Sequence, residues 1–310
     1  EANGQPLSTE SFISKAGTFY DDNRPYQEVL YEASALNREV GRVRPGNEYA
    51  THPSTQTYEI NADGDDIRIY NVIYNELPNG SIETLLNYDG LYDNYTLYKN
   101  TLSDEDGKSI TTFTDKLGRK ILERQNSNDT YYVYDHKGQL CFVLPPLAVQ
   151  QITDGTHSDT IDVLKKYAYV YKYDERGNQI YKRLPGCEPI LMVYDITNTL
   201  VMSQTGNQRA RRAYWTVYKY DELRRLLYTA EIEDSISTHK ELVDSFREWC
   251  MLEHFSVGSQ SNPMSNTGYT RGFFHNRPTT LLTVNYYDTY DFLTFVYSED
   301  RSHMTFTPFE

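Results

Sequence analysis

Polar and apolar residues alternate along residues 171–184 with the period of two that a half-buried β-strand requires, and Tyr171, Tyr173 and Ile180 take the apolar positions. Asp174 and Gly177 stand where the chain must reverse. An Asp side chain accepts hydrogen bonds from nearby backbone N–H groups, and Gly adopts a positive φ. The stretch therefore predicts a β-hairpin closed by a tight turn with a bulge.

The same pattern returns at residues 218–231, 113–119 and 134–140, and in a looser form at 194–198 and 20–25. The predicted turn residues of these copies are Asp115, Gly118, Asp135, Gly138, Asp174, Gly177, Asp195, Asn198 and Asp221. The aromatic residues before them are Phe113, Tyr134, Tyr173, Tyr194 and Tyr220. Asn198 stands in the glycine position, where Asn tolerates a left-handed backbone. The distances from Phe113 to Tyr134 and from Tyr173 to Tyr194 are both 21 residues, and such a period indicates a repeat architecture.

Other alternating stretches extend this pattern into a long meander, so the predicted fold is mainly β, a curved and twisted antiparallel sheet. A capping box at 238–241, followed by apolar residues up to Cys250 at helical spacing, predicts an amphipathic helix over 238–254 that covers the sheet. A second, short helix is expected from about residue 159. The architecture is expected to be continuous, with a loose lead-in at 1–16, a β region at 17–105 and the repeat sheet at 106–234. A helical insertion with a loop follows at 235–268, of which 257–268 is expected to be the mobile loop, and strands with a tail complete the chain at 269–310, including a strand at 292–297.

One acidic turn invites a metal hypothesis. Asn61, Asp63 and Asp65 alternate between the predicted strands 57–60 and 67–70 as oxygen ligands do in a calcium loop. The distal Glu of such a loop is replaced by Val72, which favours a plain Asx turn. The Asp-Glu-Asp-Gly run at 104–107 is interpreted in the same way, as a hairpin turn. No metal or cofactor is predicted.

Composition narrows the class of function. The 310 residues include 29 Tyr and only 38% hydrophobic positions, which disfavours a doubly wound α/β enzyme with its Val- and Ile-rich parallel strands. A net charge of −14 repels phosphate backbones, so nucleic acid is not an expected partner. No stretch is long and apolar enough to span a membrane, and no signal peptide is recognised. A chain that starts at Glu1 is expected to be an excised or processed piece.

Isolated polar groups offer little chemistry. Three cysteines at wide spacing, Cys141, Cys187 and Cys250, form no disulfide or zinc pattern and are expected to be buried apolar groups. The seven histidines stand singly. Arginines at 209, 211 and 212, with 224 and 225, are either an anion site or solvent-facing partners of acidic residues.

No nucleophile elbow, phosphate loop or metalloprotease motif is present in the sequence. A hydrolase with two carboxylates stays open as an alternative, because sequence does not give their separation. Exposed Tyr and Trp rings also leave a carbohydrate-binding module open, although tyrosines in neighbouring hairpins equally form cross-strand ladders. The repeated aspartates already close turns, and an active site is normally unique, so the sequence predicts a protein that is not an enzyme.

The phrase Tyr-Asp-x-x-Gly-Arg at a period near 20 resembles the YD repeat of the Rhs family. Longer phrases at 32–38, 114–119, 131–146, 206–209 and 282–288 are similar to those of the large YD-repeat proteins of Bacteroides-type bacteria, so the resemblance covers about residues 17–292. The chain departs from the pattern at Asn198, at Arg224 and in the inserted helix, and it lacks a recognisable self-cleaving segment or effector.

The resemblance implies a secreted or surface-exposed bacterial protein in which such repeats spiral into a hollow shell around a C-terminal toxin or other cargo. The chain is then expected to be one arc of that wall, a structural and encapsulating module whose partners are the rest of its parent polypeptide and the enclosed cargo. Open sheet edges predict self-association.

Overall fold

A computed structural model describes residues 8–77, 82–256, 264, 267–274 and 276–287 of the chain. The described residues divide into two compact units. The first unit lies within Glu1–Asn75 and Thr84–Ala168, and the second within Glu76–Glu83 and Tyr169–Glu310.

Two antiparallel arrangements make up the β-structure of the first unit. Eight strands follow one another in the spatial order β1-β2-β3-β6-β7-β8-β9-β10, and three more pair in the order β11-β5-β4. The bounds of the eight are β1 Glu28–Tyr31, β2 Glu39–Val43, β3 Ser54–Ile60, β6 Tyr98–Ser103, β7 Ser109–Thr114, β8 Lys120–Gln125, β9 Asn128–Tyr134 and β10 Leu140–Leu144; the three are β4 Arg68–Glu76, β5 Ile82–Leu91 and β11 Thr156–Ser158.

A row of cross-strand neighbours forms the core of the first unit. Phe113 pairs with Leu122, Leu122 with Tyr131 and Tyr131 with Leu144, and all four are almost fully buried. The Tyr131 ring lies 5.1 Å from the Tyr70 ring of β4, and its hydroxyl accepts a hydrogen bond from a β4 backbone N–H. The helical segments of this unit are α1 Thr9–Tyr20, a 3-10 turn at Asn47–Thr51, α2 Pro146–Val149 and α3 Asp162–Tyr167.

Seven antiparallel strands form the second unit, in the order in which they occur in the chain. They are β12 Tyr169–Tyr173, β13 Gln179–Arg183, β14 Ile190–Tyr194, β15 Leu200–Gln204, β16 Tyr214–Tyr220, β17 Leu226–Glu233 and β18 Thr279–Val284, with helices α4 Gly206–Ala210 and α5 His239–Phe246 and a 3-10 turn at Gly272–Phe274. Apolar residues on one face of β14 to β17 form a buried cluster with Leu242, Val243 and Phe246 of α5. The helix thus covers this face, as its amphipathic pattern predicts.

The predicted fold class is confirmed, since the described chain is mainly an antiparallel β meander with few helices. The short helix expected from about residue 159 is α3. The capping box is also present at α5, where Thr238 and Glu241 each bond the other's backbone N–H. The predicted strand at 292–297 and most of the predicted loop at 257–268 lie outside the described residues.

The prediction for the N-terminal stretch is wrong. Residues 9–20 form α1 instead of a loose lead-in, and the Ser8 hydroxyl caps the helix by accepting the Ser11 N–H at 3.2 Å. Tyr20 ends that helix and Asp21 follows it with a left-handed φ of 53°, so the loose copy at 20–25 is a helix end and not a hairpin. Weak helix formers such as Thr, Ser and Gly concealed α1, which depends on its cap.

Helix α5 is shorter than the predicted 238–254. It ends at Phe246, and Trp249, expected on the apolar face, is 62% exposed. The backbone beyond the helix bonds to the repeated turns instead, since the Trp249 carbonyl accepts the Ile196 N–H at 3.0 Å. The competing backbone partner ends the helix early.

Two further expectations need correction. Cys141 is buried as predicted, but Cys187 and Cys250 are exposed, and all three are free thiols. The strands on either side of the acidic turn do not form a hairpin, because β3 pairs with β2 and β6 whereas β4 lies with β5. Local alternation gives the strands but not their long-range partners.

Candidate functional site

Six turns of the described chain share one backbone geometry. We call them the repeat turns and number their five residues from the Asp: 104–108, 115–119, 135–139, 174–178, 195–199 and 221–225. In each, the Asp N–H donates to the carbonyl of the fifth residue, and the fourth N–H donates to the Asp carbonyl, with all distances between 2.9 and 3.1 Å. This is the three-residue hairpin connection with a bulge.

The Asp side chain closes each turn from inside. Its Oδ1, the inner oxygen, accepts the backbone N–H of the fifth residue at 2.8 to 3.1 Å in all six turns. In the first five it also accepts the third N–H at 2.9 to 3.0 Å. A carboxylate satisfies these two donors better than a hydroxyl, because charged acceptors make stronger hydrogen bonds.

The fourth residue is left-handed in every repeat turn. Four turns place Gly there, with φ between 78° and 88°, whereas Asn198 and Arg224 have φ values of 61° and 62°. Asn visits this region readily, but for Arg the conformation is strained. Arg224 is held there by its guanidinium, which donates to the Thr197 carbonyl at 3.1 Å and to the Thr199 hydroxyl in the neighbouring turn.

The fifth residue determines what binds Oδ2, the outer oxygen of the Asp. Where the fifth residue is Arg, its own Nε takes that oxygen, at 2.7 Å in Arg119 and 2.6 Å in Arg225. Where it is Gln139 or Thr199, a group from outside the repeat takes it. The Tyr74 hydroxyl donates to Asp135 at 3.0 Å, and the Met251 backbone N–H donates to Asp195 at 3.2 Å.

In the two arginine-closed turns, the pKa of the Asp carboxyl group is lowered. Burial alone raises the pKa of Asp115, but the Arg119 backbone and guanidinium, together with the Leu117 N–H, outweigh it, and the pKa is lowered. The same balance of burial against Arg225 lowers the pKa of Asp221. Both groups are therefore held ionised, which suits a structural acceptor and not a proton donor.

Residues 249–253, which we call the strap, run along two of the repeat turns in the second unit. Besides the bonds from Ile196 and Met251, the Glu253 N–H donates to the Tyr220 carbonyl at 2.9 Å. The Glu253 carboxylate lies 3.7 Å from the Lys219 ammonium and accepts the Thr270 hydroxyl at 2.6 Å. Burial lowers the pKa of Lys219 and the adjacent Glu253 opposes that shift, so the strap ends on an ion pair withdrawn from solvent.

The predicted aromatic positions are not all equivalent. Tyr134, Tyr173, Tyr194 and Tyr220 immediately precede their Asp and are half-buried. Phe113 precedes Asp115 by two residues, so strand alternation turns it to the opposite face, where it is fully buried. Phe113 is therefore a core residue, and the tyrosine position of that copy holds Thr114.

The metal-candidate residues serve the backbone. The Asn61 side-chain oxygen accepts the N–H groups of Thr96 and Leu97, both at 2.8 Å. Asp65 accepts the Ala62 N–H at 2.8 Å and the Lys99 ammonium at 2.9 Å, and the remaining candidate, at position 63, is exposed. Within the described ranges, no three His, Cys, Asp or Glu side chains are placed to hold a metal ion.

The predicted basic cluster is not assembled. Arg211 and Arg212 precede β16 at one end of the β16–β17 hairpin, whereas Arg224 and Arg225 lie in the turn at the other end. The Arg209 guanidinium donates to backbone carbonyls, at 3.3 Å for that of Gln204, and lies 3.9 Å from the Glu188 carboxylate. The five arginines therefore form no common anion site, and the expected pairing with carboxylates is found for Arg209 and Arg225.

Sequence reasoning missed three features of the site. The turn at 104–108 was predicted as a turn but not as a copy of the repeat, because Ser103 replaces the aromatic residue; its Asp-x-x-Gly spacing was the available signal. The contacts from Tyr74 and Met251 had no sequence signal except the missing Arg at the fifth position.

None of the described helices is long and apolar enough to cross a membrane.

Comparison with known proteins gives structural likeness only. No protein-family model and no curated protein matches the chain. The crystal structure of TcdB2-TccC3-Cdc42 is similar at 15% identity, over 67% of this chain and 10% of that one, with a TM-score of 0.35. A Photorhabdus luminescens Tc holotoxin pore with a mutated TccC3 is similar at 14% identity, over 71% of this chain and 12% of that one, with a TM-score of 0.36. The crystal structure of TcdB2-TccC3 is similar at 13% identity, over 83% of this chain and 15% of that one, with a TM-score of 0.29. The chain thus spans 10 to 15% of the length of those chains, and TM-scores this low carry no argument about function.

Proposed function

We propose that the chain is a non-enzymatic structural module, one arc of the β-wall of a larger secreted or surface-exposed bacterial YD-repeat protein of Bacteroides type. In this proposal the wall encloses a C-terminal cargo, and the partners of the module are that cargo and the rest of the parent polypeptide. The sequence resemblance to the Rhs family motivates the proposal.

The observation that carries it is the use made of the repeated aspartates. Six carboxylates recur with one geometry, and in each the inner oxygen is bonded to the backbone of its own turn. Two of them have a lowered pKa, the opposite of what a general acid needs. Carboxylates that recur and are hydrogen-bonded within their own turns, two of them held ionised, support a wall-building role, and they offer nothing that favours a two-carboxylate hydrolase.

Sheet edges provide the test. Among the described residues, no strand pairs with the outer side of β1 or of β18, and Leu282 of β18 is 50% exposed. An edge strand with free backbone groups pairs with another chain unless a charge opposes it. We therefore expect concentration-dependent self-association through these edges.

Size-exclusion chromatography with light scattering measures it. The unmodified chain is expected to gain mass with concentration, and Leu282→Lys is expected to reduce that gain. Leu223→Lys is the matched control, because Leu223 is 73% exposed at a turn tip away from the edge. A strict monomer at high concentration, or equal effects of the two variants, contradicts edge pairing.

One surface favours carbohydrate binding as a second candidate function. Arg38, Tyr58, Tyr98 and Asn100 line an open groove in the first unit. The Arg38 guanidinium lies 4.3 Å from the Tyr58 ring centroid, and Tyr98 is 57% exposed. Aromatic faces beside an amide side chain are suited to sugar rings, and the bonds from Arg38 to Glu32 hold the guanidinium beside the Tyr58 ring.

A glycan array separates this candidate from the first. Saturable binding that is lost in Tyr98→Ala but retained in Tyr20→Ala, a substitution on the exposed side of α1, supports a carbohydrate site. If no glycan on the array binds, only the structural wall function is supported.

A further inference from the structure

Two arginines, Arg211 and Arg212, lie in the connection between α4 and β16, shortly after Arg209 near the end of α4. Residues 209–212 read Arg-Ala-Arg-Arg, and Arg211 and Arg212 are exposed. The backbone there is strained, since Arg212 has a φ of 115° and Ala213 one of 53°. Two successive non-glycine residues with positive φ cost energy that the surrounding contacts must offset.

These side chains are free to meet a partner. The only contact of the Arg211 guanidinium given by the described structure is with the Tyr214 ring, at 5.7 Å, and within the same part of the chain Arg212 makes no hydrogen bond or ion pair. The other adjacent pair of arginines behaves differently. Arg224 bonds to the neighbouring turn and Arg225 to Asp221.

The helix before these arginines is weakly held. Helix α4 has five residues, none of them buried, and its capping box depends on the Thr205 and Gln208 side chains. Within the described residues, polar contacts tie it to its neighbours: Gln208 donates to the Thr216 hydroxyl and the Glu231 carboxylate, and Arg209 donates to two backbone carbonyls. A single polar turn of this kind opens locally at low free energy, and opening would extend residues 206–213 as a peptide.

We propose that the Arg212–Ala213 peptide bond is a processing site for an arginine-specific endoprotease of the trypsin type. Such enzymes bind an Arg side chain in a pocket with an acidic base, and exposed loops are their preferred sites. Water adds across the C–N bond, leaving a carboxylate on Arg212 and a protonated amine on Ala213. The strain at the two positive φ angles is released with the bond.

The cut protein is expected to stay assembled. Strands β15 and β16 on either side of the cut are paired at Met202–Val217 and Ser203–Thr216. Met202 and Val201 also share a buried cluster with Trp215 and Val217. Fragments of 212 residues and, by subtraction from 310, 98 residues would therefore separate only on denaturation.

Limited digestion with trypsin under native conditions tests the proposal. We expect the first cut within residues 8–287 after Arg212, identified by intact mass and by an N-terminal sequence beginning Ala-Tyr-Trp, with no change in native elution volume. The Arg224–Arg225 pair serves as an internal control and should stay uncut.

Two variants sharpen the test. Arg211→Gln with Arg212→Gln should abolish the early cut, and its circular dichroism should match that of the unmodified chain because both residues are exposed. Thr205→Ala removes the helix cap and should speed cutting about fivefold, the factor expected for loss of a typical N-cap. A first cut elsewhere in that range, cutting only at the rate of global unfolding, or no effect of Thr205→Ala would overturn the proposal.

Discussion

The bond between the strap and its repeat turn can be weakened by one isosteric change, Asp195→Asn. The buried Asp195 carboxylate accepts four hydrogen bonds, three at the inner oxygen, from the N–H groups of Thr197 and Thr199 and from the Thr197 hydroxyl. The fourth reaches the outer oxygen from the Met251 N–H at 3.2 Å. The amide can keep the inner three but must place an NH2 group, a donor, against the Met251 donor.

The expected cost follows from that geometry. Losing one hydrogen bond to a charged acceptor and leaving a buried N–H without a partner costs about 1.5–3 kcal/mol. The loss falls on the strap and not on the turn, so strap opening should become roughly 10- to 150-fold more frequent, by conversion of that free energy. Three backbone amides report this opening. They are the N–H groups of Met251, of Glu253, which donates to the Tyr220 carbonyl, and of Ile196, which donates to the Trp249 carbonyl.

Hydrogen exchange measured by NMR or mass spectrometry is the assay, and Asp174→Asn is the matched control. In that turn the outer oxygen accepts the Asn178 side-chain N–H at 2.9 Å and the Arg176 guanidinium at 3.4 Å, and neither residue belongs to the strap. The cost of the substitution should therefore fall on that turn, and little change is expected in the exchange of the strap amides. Equal exchange of the strap amides in Asp195→Asn and the unmodified chain would refute the reasoning.

Three shorter predictions follow from the same geometry. Thr199→Arg should place a guanidinium on the outer oxygen of its turn and displace the Met251 N–H, seen as faster exchange of that amide; unchanged protection counts against the fifth-residue rule. Gly118→Ala should lower stability by about 1 kcal/mol through its backbone alone, because a Cβ there meets nothing within 4 Å and φ is +78°; an unchanged urea midpoint contradicts this. Because the pKa of Asp221 is lowered on folding, the stability it contributes is present above pH 3.8 and is lost as the pH falls through the pKa of the folded state. Arg225→Gln should therefore lose less free energy of unfolding in acid than the unmodified chain. Identical curves of stability against pH would disprove the pairing.

The repeat turns could be predicted from the sequence because local interactions determine their structure. Asp and Gly three residues apart fix a turn through bonds that run within five residues, and alternation fixes the flanking strands. That logic predicted five of the six turns as copies of the repeat and the strands between them. It misplaced Phe113 because an aromatic residue one position off still fits a loose pattern while facing the other side.

Structural features that depend on residues far apart in the chain could not be predicted from the sequence. The pairing of β3 with β6 joins residues some 40 positions apart, and the intervening strands β4 and β5 belong to the three-stranded sheet. The early end of α5 depends on acceptors and donors supplied by the repeat turns. Neither partner leaves a trace in the local pattern, because backbone hydrogen bonds do not depend on side-chain identity.

Self-sufficiency of the turns bears on how such a chain changes over generations. Since every turn satisfies its own backbone donors with its own Asp, a hairpin can be duplicated or deleted without leaving those backbone donors of its neighbour unsatisfied. The fifth position then acts as a point of divergence: a copy that exchanges its Arg for a smaller residue acquires an acceptor on which a newly inserted segment can be anchored.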